Sequence, residues 1–550
     1  MMEKDKTATS LYGMVSTASG PATDAGVQIL EKGGNAVDAA VAAAFCLGVT
    51  EPQASGIGGQ SMVLVHLAGE NRTFVLDGSS RAPFGIHPDN PISSEQLKYG
   101  ITATTVPSTP AVLGYLLNRY GTLSIKEVLE PAIAAAREGF RISSLQHTLI
   151  NRELKKLACD EIFQKNFLID NKPPNAGDII RQPELAKCLE RMTVYGWEDF
   201  YHGEIGQLIL KDMIVRGGLI SQADLSQIPI PIERQVLEGS YRSIRISTFP
   251  PPGAGRALIK ILNVMENFQP EELEPETPLA SLILAFTFKA ALRTRQKMPV
   301  DPDLFFQLAN KVMLDKEYAR EIANRLKKSI VYCLPEMADP KISGETTHLS
   351  VTDKNGNMVG ITQSIELVFG SKTTASGLGF FYNNYMSAYE YKDMTHPYYL
   401  LPGARPWSSV APTIIFEEEK PKILLGSPGS ERIATTLAQV ISRLFDARQN
   451  LFMAIAGPRL HSSSNGKVQI ELKRFPEETI STLKKARFDI TKRGAYSFYL
   501  GCVQAVLYDR GSNMFFGVSD PRRDGTARGP RAVHTLIGSD AKNEGGNSIQ

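Results

Sequence analysis

Cysteine is scarce: Cys46, Cys159, Cys188, Cys333 and Cys502 are the only five in 550 residues. They are odd in number and widely scattered, with no Cys-x-x-Cys pair, which excludes a disulfide scaffold and points to buried thiols in a reducing compartment. The eight histidines form no His-Glu-x-x-His and no ligand-spaced cluster, so we expect no metal and no organic cofactor. There is no Gly-x-Ser-x-Gly elbow and no phosphate loop, and Gly56-Ile57-Gly58-Gly59 precedes a strand pattern where a dinucleotide site needs a helix. Charge of one sign is also missing: 60 basic residues face 58 acidic ones, with no basic stripe interleaved with aromatics, which argues against a nucleic-acid partner. The longest apolar run, residues 36–49, is interrupted by Asp38 and is shorter than a membrane span of about 20 residues. The opening residues, Met1-Met2-Glu3-Lys4-Asp5-Lys6, lead into no apolar run and lack the hydrophobic centre of a signal peptide, so the expectation is a cytoplasmic protein off the membrane.

What the chain does have is a core-forming composition and clear element signals. Hydrophobic residues make up 42%, enough for a large core. Residues 21–32 place Ala25, Ile29 and Leu30 on helical spacing before a Gly33-Gly34 stop. Asn35 can cap a following helix over 36–47 that is apolar almost all round and therefore buried. Residues 61–67 and 73–76 read as strands, and Ser124-Ile125-Lys126-Glu127 is a capping box opening a helix with Val128 and Ile133 inward. Residues from about 145 to 345 read as charged amphipathic helices, a helical excursion in the first part of the chain.

Further on, Thr347-His348-Leu349-Ser350-Val351-Thr352 alternates in the period of a half-buried strand. Asn355-Gly356 turns it back, and Met358, Val359 and Ile361 supply the return strand. Thr346 therefore stands at the mouth of a hairpin. A threonine hydroxyl needs a base to become a nucleophile, and a threonine at a chain terminus carries one in its own α-amine, whose ordinary pKa of about 7.7 to 8 suits neutral pH. Scission between Glu345 and Thr346 would create that arrangement. Thr-Thr alone is also how an ordinary strand enters a core, so the surroundings have to decide.

They do so by resemblance. Lys32-Gly33-Gly34-Asn35-Ala36-Val37-Asp38-Ala39-Ala40, Glu51-Pro52, Ser55-Gly56-Ile57-Gly58-Gly59, Val106-Pro107-Ser108-Thr109 and Pro250-Pro251-Pro252-Gly253 precede the threonines. Arg405-Pro406-Trp407-Ser408-Ser409, Gly426-Ser427-Pro428-Gly429 and Ser519-Asp520-Pro521-Arg522-Arg523-Asp524-Gly525 follow them. From about residue 13 to 530 the chain resembles the γ-glutamyltransferase (γ-glutamyltranspeptidase, glutathione hydrolase) family of N-terminal-nucleophile hydrolases. The resemblance implies an α+β fold, the four-layer αββα sandwich. It implies a large subunit of residues 1–345 and a small subunit of 346–550 that remain together as a heterodimer. It also implies transfer of an acyl group from a small γ-glutamyl amide to water or an amine, by way of an acyl-threonine.

Site residues carry over position by position. Thr346 falls on the nucleophile, and Thr347 and Ser364 on hydroxyls that help orient it. The oxyanion-hole glycine pair falls on Gly429 and Ser430, in a strand–turn–helix unit of the kind that aims N–H groups at an anion. Ser408 and Ser409 match the serine pair that holds the substrate α-carboxylate. The arginine that normally assists there is Ser79 in this chain, and Arg81, two residues on, either substitutes or makes only a surface contact. Where the family grips the α-ammonium group, Glu366, Tyr385 and Ala388 replace an amide, a polar residue and an acid, so an amidase or acylase of other specificity remains an alternative, as does an uncleaved scaffold. His348, opposite in direction to Thr347, is expected to be structural, and Tyr389, Tyr391, Tyr398 and Tyr399 could belong to a loop over the pocket.

Overall fold

The computed structural model describes residues 5–86, 93–304, 314–329 and 344–530. Cys333 and part of the proposed helical excursion lie outside the described residues. Two antiparallel sheets of seven strands form the centre. One runs in the order Thr526–Arg528, Gly13–Thr17, Glu345–Asp353, Met358–Glu366, Gln60–Leu67, Arg72–Gly78 and Ile232–Gln235. The other runs Thr7–Ser10, Met514–Ser519, Gln504–Asp509, Lys420–Gly426, Thr413–Glu417, Ile244–Thr248 and Leu237–Tyr241.

Strand alternation sorts side chains into three apolar layers. Met14, Met62, Leu64 and Met358 from the first sheet meet Ile414, Leu424, Val506 and Phe515 from the second in the layer between them. On the outer face of the first sheet, Leu349, Val351, Val359 and Ile361 pack under the helices Gly20–Glu31, Ala36–Thr50 and Thr109–Tyr120. On the outer face of the second, Ile415, Ile423 and Leu425 pack under Gly255–Met265, Pro278–Lys297 and Arg432–Phe445. This is the expected αββα sandwich. Among the described residues no helix is long and apolar enough to cross a membrane.

The helix Ala36–Thr50 has no solvent face: every residue except Gly48 is buried. Its N-terminus is closed by a full capping box, Asn35 accepting from Val37 and Asp38 while Asp38 accepts from the Asn35 N–H. The Ser124 and Glu127 box is likewise present. The stretch from 145, expected to be mostly helical, also carries strands. Three strands, Ile232–Gln235, Leu237–Tyr241 and Ile244–Thr248, join the two central sheets, and the helices Gly255–Met265 and Pro278–Lys297 build the second helical layer. Ile232–Gln235 and Leu237–Tyr241 are edge strands with one wet face, which is why their polar content reads as surface helix. Two of the four tyrosines are core: the Tyr389 and Tyr398 hydroxyls donate to the carbonyls of Ala404 and Val300, and both rings are buried, while Tyr391 is exposed.

Behind the sheet ends a fully buried ionic cluster joins distant segments. Asp520 pairs with Arg459 at 2.5 Å and with Arg522 at 3.2 Å, and accepts from the N–H of Val503 and of Arg522. Arg522 also pairs with Glu471 at 2.7 Å. Removing one partner of such a set strands the other charges away from water. Asp520→Ala should therefore lose about 3 to 5 kcal/mol, read as a lowered urea midpoint of the whole protein, with Asp520→Asn losing less.

Candidate active site

Thr346 sits where the ladder fails. Glu345 pairs with Glu366 and Thr347 with Gln363, so two residues of the return strand, Ser364 and Ile365, face the single Thr346, and the bulge lies on the return strand opposite it. A bulge re-aims one side chain and frees its backbone from the ladder. The neighbouring strand is brought in tightly by Gly59, where an added Cβ would lie 2.2 Å from the Ser364 carbonyl oxygen.

The Ser364 hydroxyl is the centre of the contacts around the bond between Glu345 and Thr346. It donates to the Glu345 carbonyl oxygen at 2.6 Å, accepts from the Glu366 N–H at 2.8 Å, and accepts from Thr346 Oγ1 at 3.4 Å. One hydroxyl has one proton, so with that proton on the Glu345 carbonyl it can only accept from the other two. The arrangement polarises the carbonyl adjoining Thr346 and holds the threonine hydroxyl beside it.

Thr347 points the other way and donates to Glu51 Oε2 at 2.5 Å. Burial pushes the Glu51 carboxyl up to about 7, against the opposing pull of Arg523. Arg523 reaches Glu51 at 3.3 Å, the Thr346 carbonyl at 3.1 Å and the Glu345 carboxylate at 2.5 Å. Burial alone would lower the Arg523 pKa, but Glu345 and Glu51 raise it instead. Sequence reasoning assigned no role to Glu51 or Arg523, although both lie in motifs that carried the resemblance.

Glu366 is not a residue on an exposed strand edge. Its strand is central in the sheet, its backbone takes φ +77°, and burial pushes its half-buried carboxyl up to about 7. The buried Tyr385 phenol lies beside Glu366, Ser364 and Gln60, and burial raises its pKa. His348 is structural as expected: it contacts Thr362 at 2.8 Å and Ser350 at 3.1 Å, and burial lowers its pKa to about 3.

The second sheet supplies the turn 427–431. Gly426, at the end of its strand, packs against the His348 ring, two residues beyond Thr346, and Arg432 at the start of the following helix feels the charge of Glu345. Gly429 has φ +128° and Ser430 φ +53°, both in the left-handed half of the map. Among the described residues neither N–H meets an acceptor, while their carbonyls accept from the N–H groups of Arg432 and Ile433. This leaves two backbone donors free at a helix N-terminus.

Ser408 and Ser409 are held by Arg295, the other residue that sequence reasoning missed, on the helix Pro278–Lys297. Its guanidinium donates to the Ser408 carbonyl and, at 3.4 Å, to Ser409 Oγ, and stacks 4.7 Å from the Trp407 ring centre. The adjoining Gln296 donates to Glu431 at 3.1 Å. Burial lowers the Arg295 pKa to about 10. Arg81 is half-buried and donates to the Ser79 carbonyl at 3.3 Å, so it is not a simple surface residue. Ser79 itself is spent on Asp77 at 2.6 Å.

Comparison with known proteins agrees with this layout. The chain is 32% identical over 533 residues to the glutathione hydrolase proenzyme of Escherichia coli (strain K12), covering 93% of this chain and 90% of that protein. It is 34% identical over 498 residues to the acylase ACY 1 proenzyme of Pseudomonas sp. (strain V22), covering 87% of each. Among solved structures, the cephalosporin acylase from Bacillus halodurans superposes with a TM-score of 0.83 at 26% identity, covering 95% of this chain and 96% of that one. The family model for gamma-glutamyltranspeptidase matches residues 22–529, and the chain belongs to that family.

Proposed function

We propose that this protein is a γ-glutamyltransferase or glutathione hydrolase-like enzyme that cuts its own chain before Thr346 and then uses Thr346 as an N-terminal nucleophile. The observation that carries the reading is the Ser364 hydroxyl, which bridges the Thr346 hydroxyl and the carbonyl of the bond to be cut. In scission, Thr346 Oγ adds to the Glu345 carbonyl carbon, the C–N bond breaks as the nitrogen takes up a proton, and an ester results. Water hydrolyses the ester, leaving a Glu345 carboxylate, a free hydroxyl and the α-amine that serves as base in turnover.

In turnover the Thr346 hydroxyl attacks the amide carbonyl of the substrate, the free N–H groups of Gly429 and Ser430 hold the oxyanion, and the amine leaves with a proton. Water or an acceptor amine then takes the acyl group from the threonine. Thr347 positions the strand through Glu51. Among the described residues no cation pairs with Glu366, which suits the α-ammonium group of a γ-glutamyl donor. Ser408, Ser409 and Arg81 are proposed for the α-carboxylate.

The two fragments, residues 1–345 and 346–550, would remain a heterodimer, because Glu345–Asp353 pairs with Gly13–Thr17 and Met358–Glu366 with Gln60–Leu67, each a strand of the other fragment. A reducing compartment is part of the proposal: the four described cysteines are unbridged, and burial pushes Cys46 and Cys188 up to about 12.

A second reading, an acylase for an acid lacking the α-ammonium group, is favoured by Tyr385, whose phenol fills space beside Glu366. Intact-mass analysis over an incubation series, followed by assays with γ-glutamyl-p-nitroanilide and glutaryl-p-nitroanilide, separates the possibilities. Two fragments meeting at residue 346 and turnover of the γ-glutamyl compound are expected. Turnover of the glutaryl compound alone would move the assignment to the acylase, and an intact, inactive chain would leave only a scaffold.

A further inference from the structure

We infer that Arg523 is a positioning residue for chain scission, holding both residues that flank the bond to be cut. The inference rests on the reading that scission occurs before Thr346.

Glu345 is a carboxylate only 5% exposed. A buried charge is tolerated only with a partner, and the Glu345 carboxylate is held by Arg523 at 2.5 Å. From the same planar group a second nitrogen donates to the Thr346 carbonyl at 3.1 Å. One rigid guanidinium therefore fixes the side chain before the bond and the carbonyl after it, while Ser364 fixes the carbonyl of the bond itself. Thr346 needs such clamps because it faces the bulge at Ser364 and Ile365, where the regular ladder is interrupted.

Arg523 is in turn anchored. Glu51 accepts from it at 3.3 Å and from Thr347 at 2.5 Å, so residues 345, 346 and 347 are all tied to one buried pair. Its own main chain is held by Lys6, which donates to the Arg523 carbonyl at 2.7 Å. Before scission this assembly restricts rotation about the peptide that faces the bulge, which favours the one geometry in which a hydroxyl can add to the preceding carbonyl. After scission the Glu345 contact no longer constrains Thr346, which is then held through its own carbonyl and through Thr347 on Glu51.

The test is a pulse of in vitro translation of the whole chain, chased and resolved on denaturing gels, for the wild type, Glu345→Ala, Arg523→Ala, Arg523→Lys and the Glu345→Ala/Arg523→Ala double variant. We expect each alanine variant to lengthen the scission half-time at least about tenfold. The double variant should be no slower than the slower single one, because both remove the same contact. Arg523→Lys, which keeps the charge but cannot grip two acceptors, should recover part of the rate, an effect that packing loss alone would not give. Thermal midpoints of the purified variants control for folding. If an alanine variant does not fold, the isosteric Glu345→Gln takes its place. Wild-type scission rates in folded Glu345→Ala or Glu345→Gln, or effects that multiply in the double variant, would overturn the inference. A wild-type chain that yields no fragment beginning at Thr346 would instead overturn the functional reading on which it rests.

Discussion

Thr346→Ala should leave a single polypeptide of 60.3 kDa with no measurable turnover. The substitution removes the oxygen proposed to attack in both scission and catalysis, so the fragments of 1–345 and 346–550 should not form, and any residual rate should lie below wild type by roughly 10⁴ or more. Thr346→Ser keeps the oxygen and loses a methyl group, and should still mature, more slowly and with lower turnover. The readout is intact mass beside hydrolysis of an acyl p-nitroanilide. Thr346→Ala protein that remains whole and yet turns over substrate would show that the hydroxyl is not the nucleophile. The fold should survive, because among the described residues the side chain makes one hydrogen bond, to Ser364 at 3.4 Å, and the strand continues with Leu349 and Val351 packed in the helical layer.

The hairpin around Thr346 was legible in the sequence because its information is local. Leu349 and Val351 alternate with polar residues, and Gly356 takes the positive φ that the turn requires, while Asp353 accepts from the Asn355 and Asn357 N–H groups. The buried helix Ala36–Thr50 was legible for the same reason, through Asn35 at its cap and an apolar circumference. What the sequence concealed are contacts made by folding. Glu51 and Arg523 meet across 472 positions, and neither has a local pattern that points to the other. Arg295 sits on a helix that reads as an ordinary charged one, yet it is buried and reaches Ser408 and Ser409. Nothing local marks the surroundings of Glu366: its carboxyl is shifted by burial beside the Tyr385 phenol, which is 19 positions on and comes close only in the fold.

Gly429→Ala carries the second large expected effect. At φ +128° an L side chain is strained wherever there is room for it, and here there is room, since the nearest atoms to an added Cβ are 3.5 Å away. The strain would thus be relieved by rotation of the peptide, which turns the N–H groups of the turn away from their present positions. Loss of one oxyanion donor costs about 10² to 10³ in kcat, and we expect that fall with a much smaller change in KM, because the donors act on charge that develops only in the transition state. Ser430→Gly is the companion variant: it keeps the N–H, relaxes a serine at φ +53°, and should stay within a few fold of wild type. The measurement is steady-state kinetics on matured protein, with the fraction of free Thr346 titrated so that slower scission is not counted as slower turnover. Undiminished kcat in Gly429→Ala would remove this turn from the mechanism, and the donors would then have to be sought on the Ser364 side of Thr346. A fall in Ser430→Gly as deep as that in Gly429→Ala would mean that the serine hydroxyl contributes, a role that its place in a conformation usually taken by glycine does not predict.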